Sequence, residues 1–301
     1  MADTIAAATP VADDGLIRTI KDLVAGAAGG VTQVMVGQPF DIVKVRMQTQ
    51  TQATNALDVA KKIWVNEGPL AFYKGTLTPL IGIGACVSVQ FGAFHEARRR
   101  IAAYNAELHP ERKDLTYGQY YLAGATAGIA NTILSSPIEH VRIRLQTQPH
   151  GLNRLYSGPL SCITTLTRTA GIRHGLYRGT AVTLLREAQA YGVWFLTFEY
   201  LMSRHATRSE VPSWKVALYG GLAGEALWLA SYPFDVVKSK MQTDEVSRDK
   251  WRYRNMRHAF ASVWTEGGVR VFWKGLGPTL VRAMPVSAGT FFTVEMAMRA
   301  M

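Results

Sequence analysis

Three acid–base pairs recur along this chain in one register. Asp41 is followed by Lys44, Glu139 by Arg142 and Asp235 by Lys238, and each acid stands two residues after a proline: Pro39, Pro137 and Pro233. Each phrase continues to a second base (Arg46, Arg144, Lys240) and then a glutamine (Gln48, Gln146, Gln242). Residues three apart share a helix face, so the acid of one helix can reach the base of a neighbour. Repeated three times, that geometry makes a closed ring of ion pairs. In a wet vestibule each pair is worth only about 1 kcal/mol, which suits a gate that must break and re-form. A proline inside a helix removes a hydrogen bond and bends it. The three prolines thus read as kinks that bring three helices together at one mouth.

The elements that carry these phrases are themselves triplicated. The prolines lie 98 and 96 residues apart, the signature of a repeat of about a hundred residues. Each phrase closes an apolar segment that opens with a pair of glycines four apart (Gly26/Gly30, Gly124/Gly128, Gly220/Gly224), a spacing that lets helix backbones approach in lipid. Short amphipathic stretches follow near 54–66, 157–170 and 255–266. Next come the phrases Tyr73-Lys74-Gly75, Tyr177-Arg178-Gly179 and Trp273-Lys274-Gly275, then second apolar helices near 77–98, 180–202 and 277–299. These have about the 20 residues a bilayer span needs. The expected fold is an all-α membrane protein with three tandem repeats, each of two transmembrane helices with a short amphipathic helix between them. The division is a disordered tail at 1–19 and repeats at 20–115, 116–212 and 213–301, all one integral domain.

Composition excludes other classes. The chain is 48% hydrophobic and 18% charged, yet its mean hydropathy is near zero at +0.02, as helices with one lipid face and one wet face require. Net charge is +11, but the 33 Lys and Arg are scattered through the repeats instead of forming one stripe. That argues against nucleic acid and for anionic lipid head groups. Lys and Arg are plentiful in the loops of both sides and do not orient the chain. Cys86 and Cys162 make neither a disulfide framework nor a metal motif, and no cofactor is implied. His95, His140, His174 and His258 sit at helix ends and linkers, and no nucleophile–base set suggests an enzyme. Residues 1–15 hold Asp3, Asp13 and Asp14 and no arginine, unlike a signal or Arg-rich transit peptide.

The triplicated Pro-x-acid-x-x-base-x-base phrase, with its later aromatic-base-Gly phrase, resembles the mitochondrial carrier family over residues 20–299. The resemblance implies six tilted transmembrane helices around a central path with three short matrix-side helices, residence in the mitochondrial inner membrane, and Asp41, Lys44, Glu139, Arg142, Asp235 and Lys238 closing the path on the matrix side. A monomer suffices for such a path, and cardiolipin at the matrix-side helix ends is an implied lipid partner. Repeat two departs from the pattern at Ala170, where an acid is usual. Repeats two and three each carry one extra residue, His174 and one of Gly267 or Gly268. The family's second network, a cytoplasmic gate on the even helices, would use Glu96 with Arg99, Glu199 and Glu295. Met202 and Met298 stand where bases would answer the last two, so a weak cytoplasmic gate is expected.

Thirteen residues before those three acids stand Ile83, Arg186 and Arg282, about 20 Å away by helical rise and matching the family's substrate-contact positions. Charge at that depth faces a wet path or a partner. Arginine grips a carboxylate through a forked pair of hydrogen bonds, and Glu187 can answer an ammonium. The Arg186–Glu187 pair resembles carriers of amino acids and of carnitine esters. Glu225, Trp228, Tyr191 and Gln38 are further candidates for the path. Glu225 could bind a second cation, carry a proton or pair with an arginine, and Trp228 could stack on an amine or pack in the membrane. Val-Gly-Gln38-Pro39-Phe-Asp41, Leu227-Trp228-Leu and Arg282-Ala-Met-Pro285 look closest to the fungal-type ornithine and carnitine-like branch. The resulting reading is an alternating-access carrier, and exchange is the expected mode for an amino acid or related zwitterion. Carnitine/acylcarnitine exchange is the alternative, with small residues on helix two (Gly82, Gly84, Ala85, Ser88) leaving room for a tail. Gln38 argues against that alternative, because carnitine-type carriers tend to have His there. A proton-leak or anion channel on the same scaffold is the third reading.

Overall fold

Each repeat folds as long helix, short helix, long helix. The computed structural model describes residues 14–50, 55–108, 115–205 and 211–300. Repeat one contains α1 (Asp14–Thr49), α2 (Ala56–Glu67) and α3 (Leu77–Leu108). Repeat two contains α4 (Tyr117–Thr147), α5 (Pro159–Gly171) and α6 (Thr180–Met202). Repeat three contains α7 (Ser213–Thr243), α8 (Met256–Gly267) and α9 (Leu276–Ala300). α1 begins at Asp14, inside the segment expected to be a tail; residues 1–13 of that tail lie outside the described residues. α3 runs ten residues beyond its expected end at 98. Pro39, Pro137 and Pro233 all sit inside unbroken helices, as does Pro285.

The short helices form because their apolar residues recur every fourth position. Val59 and Ile63, Cys162 and Leu166, and Ala259 and Val263 are the buried pairs of α2, α5 and α8. They pack on the C-terminal halves of α1, α4 and α7, in clusters that hold Ile42 and Val43, Val141 and Leu145, and Val236 and Val237. Each fully buried aliphatic side chain is worth about 1.5–3 kcal/mol, so three small cores anchor the ring-bearing helix ends. Asn55 and Asn255 cap α2 and α8 through backbone N–H groups, and Thr116 with Gln119 forms a capping box on α4.

The long helices close on themselves: α3 packs on α4, α6 on α7, and α9 on α1. Within a repeat only α4 and α6 pack extensively. The glycine pairs account for that asymmetry. A Cβ on Gly124 would lie 2.5 Å from the Tyr191 carbonyl oxygen, and one on Gly128 would strike the backbone of Glu187. Gly26, Gly30, Gly220 and Gly224 meet nothing within 4 Å, so the expected close approach occurs at one glycine pair of three.

The departures of repeats two and three are absorbed locally. Gly68, Gly171 and Gly268 share a left-handed backbone (φ 81°, 73° and 64°), which identifies Gly267 as the extra residue of repeat three. In repeat two the extra residue follows Gly171 and is taken up in a π turn at Ile172–Leu176, where the other repeats have 3₁₀ turns. Among the described residues, one helical stretch, 69–108, has an 18-residue window of mean hydropathy 1.6 with no more than two charges.

Candidate substrate path and matrix-side gate

The three acid–base phrases meet as a closed ring between repeats. Arg142 Nη2 lies 2.7 Å from Asp41 Oδ2, Lys44 Nζ lies 2.8 Å from Asp235 Oδ2, and Lys238 pairs with Glu139. Each acid therefore binds the base of a neighbouring repeat. Lys44 and Asp235 retain 9% and 8% side-chain exposure, too little for water to screen the pair as it would at a surface. Gln48 Nε2 donates to Asp235 Oδ2 at 3.0 Å, a brace visible in the recurring phrase but not assigned from it.

The two arginines of the path are fastened to this ring. Arg282 Nη1 is 2.6 Å from Asp41 Oδ1. Arg186 pairs with its neighbour Glu187, approaches Glu139 at 3.2 Å, and stands 3.9 Å from Asp235. Every ring acid thus has a second cation from α6 or α9. Glu187 is 2% exposed, and its Oε2 faces the Asn131 amide at 3.5 Å; no repeat or motif marks Asn131 in the sequence. Tyr191 and Cys86 are electrostatic neighbours of Glu187 and Glu139. Gln189 turns aside and accepts from Tyr121 at 2.5 Å. Glu225 is half-buried and feels the charge of Arg282, with no ion pair among the described residues. Trp228 does stack on a cation, but it is the ring's own Lys44, at 4.2 Å, with Arg282 at 6.0 Å.

Two expected path residues sit differently. Gln38 is fully buried and both ends of its amide are bonded, to Arg142 and to the Lys74 carbonyl, so it stands behind the ring and off the open path. Ile83 is half-buried with no polar contact. Its neighbour Gly82 is filled by Ile138, which removes one of the small-residue openings expected along α3.

A model of the family described as "Mitochondrial carrier protein" matches residues 16–105, 113–208 and 209–301. The chain belongs to the mitochondrial carrier family. It is therefore a transporter and not an enzyme, a multi-pass protein of the mitochondrial inner membrane. The "Mitochondrial glycine transporter YMC1" of Saccharomyces cerevisiae is 47% identical over 94% of this chain and 92% of its own. The "Glutamate/glycine mitochondrial carrier ymc1" of Schizosaccharomyces pombe is 46% identical over 95% of this chain and 96% of its own. The "Mitochondrial basic amino acids transporter" of Bos taurus is 39% identical, covering 92% and 91%.

At the other end of the carrier stand the acids of the expected cytoplasmic network. Glu96 pairs along its own helix with Arg99 and with Arg100 (2.7 Å), and both arginines are 80% exposed. Glu199 is half-buried and Glu295 exposed. Met202 is 2% exposed and packs with Phe198, Val211 and Ala223, so this missing base faces α7 and not the path.

On the face of the three short helices, each repeat brackets the C-terminus of its first helix. In repeat one Glu67 binds Arg46 through both carboxylate oxygens and Lys74 at 2.5 Å. Burial alone would raise its pKa, but the hydrogen bonds from Arg46 and Lys74 outweigh it and hold it at about 2. In repeat three Glu266 binds Lys240 and, at 2.9 Å, Arg252. Repeat two has Ala170 and no acid of its own. Its Arg178 instead pairs with Asp244 of repeat three, both almost fully buried, while Arg144 donates to the Asp244 carbonyl at 2.6 Å. Trp251 of repeat three stacks on Arg178 at 3.9 Å and on the extra residue His174 at 6.1 Å. Among the described residues no cluster of His, Cys, Asp and Glu could hold a metal ion.

Proposed function

We propose that this carrier moves an amino acid or related zwitterion by alternating access, and that it works by exchange. The observation that carries the reading is that Arg186 and Arg282 each hold a ring acid. A substrate carboxylate competes with Asp41 and Glu139 for the same two guanidinium groups. Binding therefore loosens the ring from the path side, which couples occupancy to opening. Glu187, beside Arg186, receives the substrate ammonium, and Glu225 lies within the field of Arg282 for a cationic side chain.

Charge balance supports a zwitterion. The cluster holds five carboxylates against five cations: the three ring pairs, Arg186 with Glu187, and Arg282 with Glu225. A zwitterion leaves that balance intact, whereas a nucleotide or phosphate adds uncompensated negative charge beside Glu187. The names of the relatives, which speak of glycine, glutamate and basic amino acids, support an amino acid as the substrate. The closed ring and the bracketed Glu96 fit a resting state open to the cytoplasmic side. The prolines act as bends in α1, α4 and α7, the chain divides at about 115 and 212, and one copy encloses the path. A cavity of about 400 Å³ beside Lys74, Gly75, Gln148 and Arg154 accommodates an anionic lipid head group such as that of cardiolipin.

Purified protein in liposomes preloaded with amino acids or carnitine provides the test. Counter-exchange of labelled amino acids at rates above protein-free liposomes is the expected result. Uptake of phosphate or ATP without amino acids would overturn the Arg186–Glu187 assignment, and exchange of carnitine alone would replace it with the carnitine reading.

A further inference from the structure

The residue before each ring proline differs in every repeat: Gln38, Ser136 and Tyr232. All three are fully buried, and all three reach the start of the second long helix of their own repeat. Gln38 Nε2 donates to the Lys74 carbonyl at 2.7 Å, and Ser136 Oγ shares a hydrogen bond with Thr180 Oγ1 at 2.9 Å. The Tyr232 hydroxyl lies 3.4 Å from both the Lys274 carbonyl and Thr279 Oγ1. These contacts stay inside one repeat and need not change when the repeats move apart.

Gln38 alone has a second polar end turned to the ring. Its Oε1 accepts from Arg142 Nη2 at 2.5 Å, the same nitrogen that donates to Asp41 Oδ2 at 2.7 Å. Arg142 Nε is buried without a partner among the described residues, so this guanidinium depends on the few acceptors it has. Tyr232 meets a ring base only through its ring face, 5.4 Å from Lys44, and Ser136 has no bond to one among the described residues.

We infer that Gln38 is a positioning residue that fastens the Asp41–Arg142 pair and so sets how often the carrier opens to the matrix. The inference rests on the alternating-access reading. When α1 and α4 part, Arg142 leaves Gln38, while the Lys74 contact travels with repeat one. The Gln38–Arg142 bond therefore belongs to the matrix-closed state alone and biases the equilibrium toward it. Gln38 thus adds a hydrogen bond between repeats one and two, where Gln48–Asp235 joins repeats one and three.

The two cysteines supply the readout. Cys86 is partly exposed beside Glu139 and Glu187, whereas Cys162 is fully buried in α5. In oriented proteoliposomes, a membrane-impermeant methanethiosulfonate added from the cytoplasmic side labels Cys86 in proportion to the matrix-closed population. Gln38→Met is expected to lower the matrix-closed-to-open ratio about tenfold, the effect of losing one hydrogen bond to a charged group, and so to slow labelling by up to that factor. Gln38→Glu keeps an acceptor for Arg142 and is expected to label at least as fast as wild type. Ser136→Ala is expected to leave the rate unchanged, with thermal unfolding in detergent confirming that each variant is folded. Equal rates in Gln38→Met and wild type would overturn the inference. So would slowing in Gln38→Glu, which would assign the effect to the Lys74 contact. If wild-type labelling also ignores saturating amino acid and the ring variant Lys44→Gln, the alternating-access reading falls with it.

Discussion

Replacing Glu187 by Gln separates recognition of an ammonium from recognition of a carboxylate. The carboxylate is 2% exposed, paired with Arg186 and faced by Asn131, so the isosteric amide keeps the shape of the site while removing one charge. Arg186 is not left bare, because Glu139 remains at 3.2 Å and Asp235 at 3.9 Å. The five-to-five charge balance becomes an excess of one positive charge. A hydrogen bond between charged partners contributes about 1.5–3 kcal/mol, and the middle of that range is about a 40-fold change in affinity. The KM for an amino acid should therefore rise about 40-fold, while its analogue lacking the amine should be taken up as well as before or better. The assay is initial-rate uptake of the labelled pair into preloaded proteoliposomes, wild type against variant. Equal loss for both compounds would refute the reasoning, because Glu187 would then be holding Arg186 and not an ammonium. An unchanged KM for the amino acid would refute it as well.

Arg282→Ala should reduce uptake of every carboxylate-bearing substrate to the level of protein-free liposomes, yet leave the protein folded, since Asp41 keeps Arg142 at 2.7 Å; radiolabel uptake with circular dichroism checks both halves. Asp244→Ala strands the buried Arg178 guanidinium and should cost about 3–5 kcal/mol, seen as a lower unfolding temperature in detergent. Adding Ala170→Glu should recover part of that loss, because an acid there is placed as Glu67 is in repeat one. Glu67 titrates lower in the folded protein (about 2) than its ordinary 4.5, so its contribution is complete above about 4.5 and disappears as pH falls toward 2. Unfolding temperatures from pH 7 to 3 should show Glu67→Gln less stable than wild type at neutral pH, with the gap narrowing only below about 4.5.

The ring was legible because its acid, base and proline keep one register through three repeats, and side chains three apart on a helix must share a face. Arg186 and Arg282 were legible as candidates for the same reason, being placed by a fixed step along the even helices. Their attachment to Asp41 and Glu139 was not, because it depends on how closely α6 and α9 approach the ring. The glycine pairs mark the limit of pattern reading: three identical spacings, of which only Gly124 and Gly128 meet a neighbouring backbone. Gln38 looked like a path residue because it precedes the proline phrase, but that position turns away from the path in every repeat, behind side chains as unlike as Ser136 and Tyr232. Asp244 could have been suspected from the sequence, since Ala170 leaves Arg144 and Arg178 without an acid and Asp244 follows the next phrase. Only the fold joins the two.

The borrowed Asp244 has a consequence for how this protein can vary. Triplication invites the view that the thirds are interchangeable modules, each replaceable by the matching third of a related chain. Here the second third is incomplete without the acid, Trp251 and Tyr253 backbone that the last third supplies to Arg178. A chimera that exchanges repeat three alone would remove the counter-charge of repeat two along with it. Repeats two and three therefore vary together, as a single heritable block.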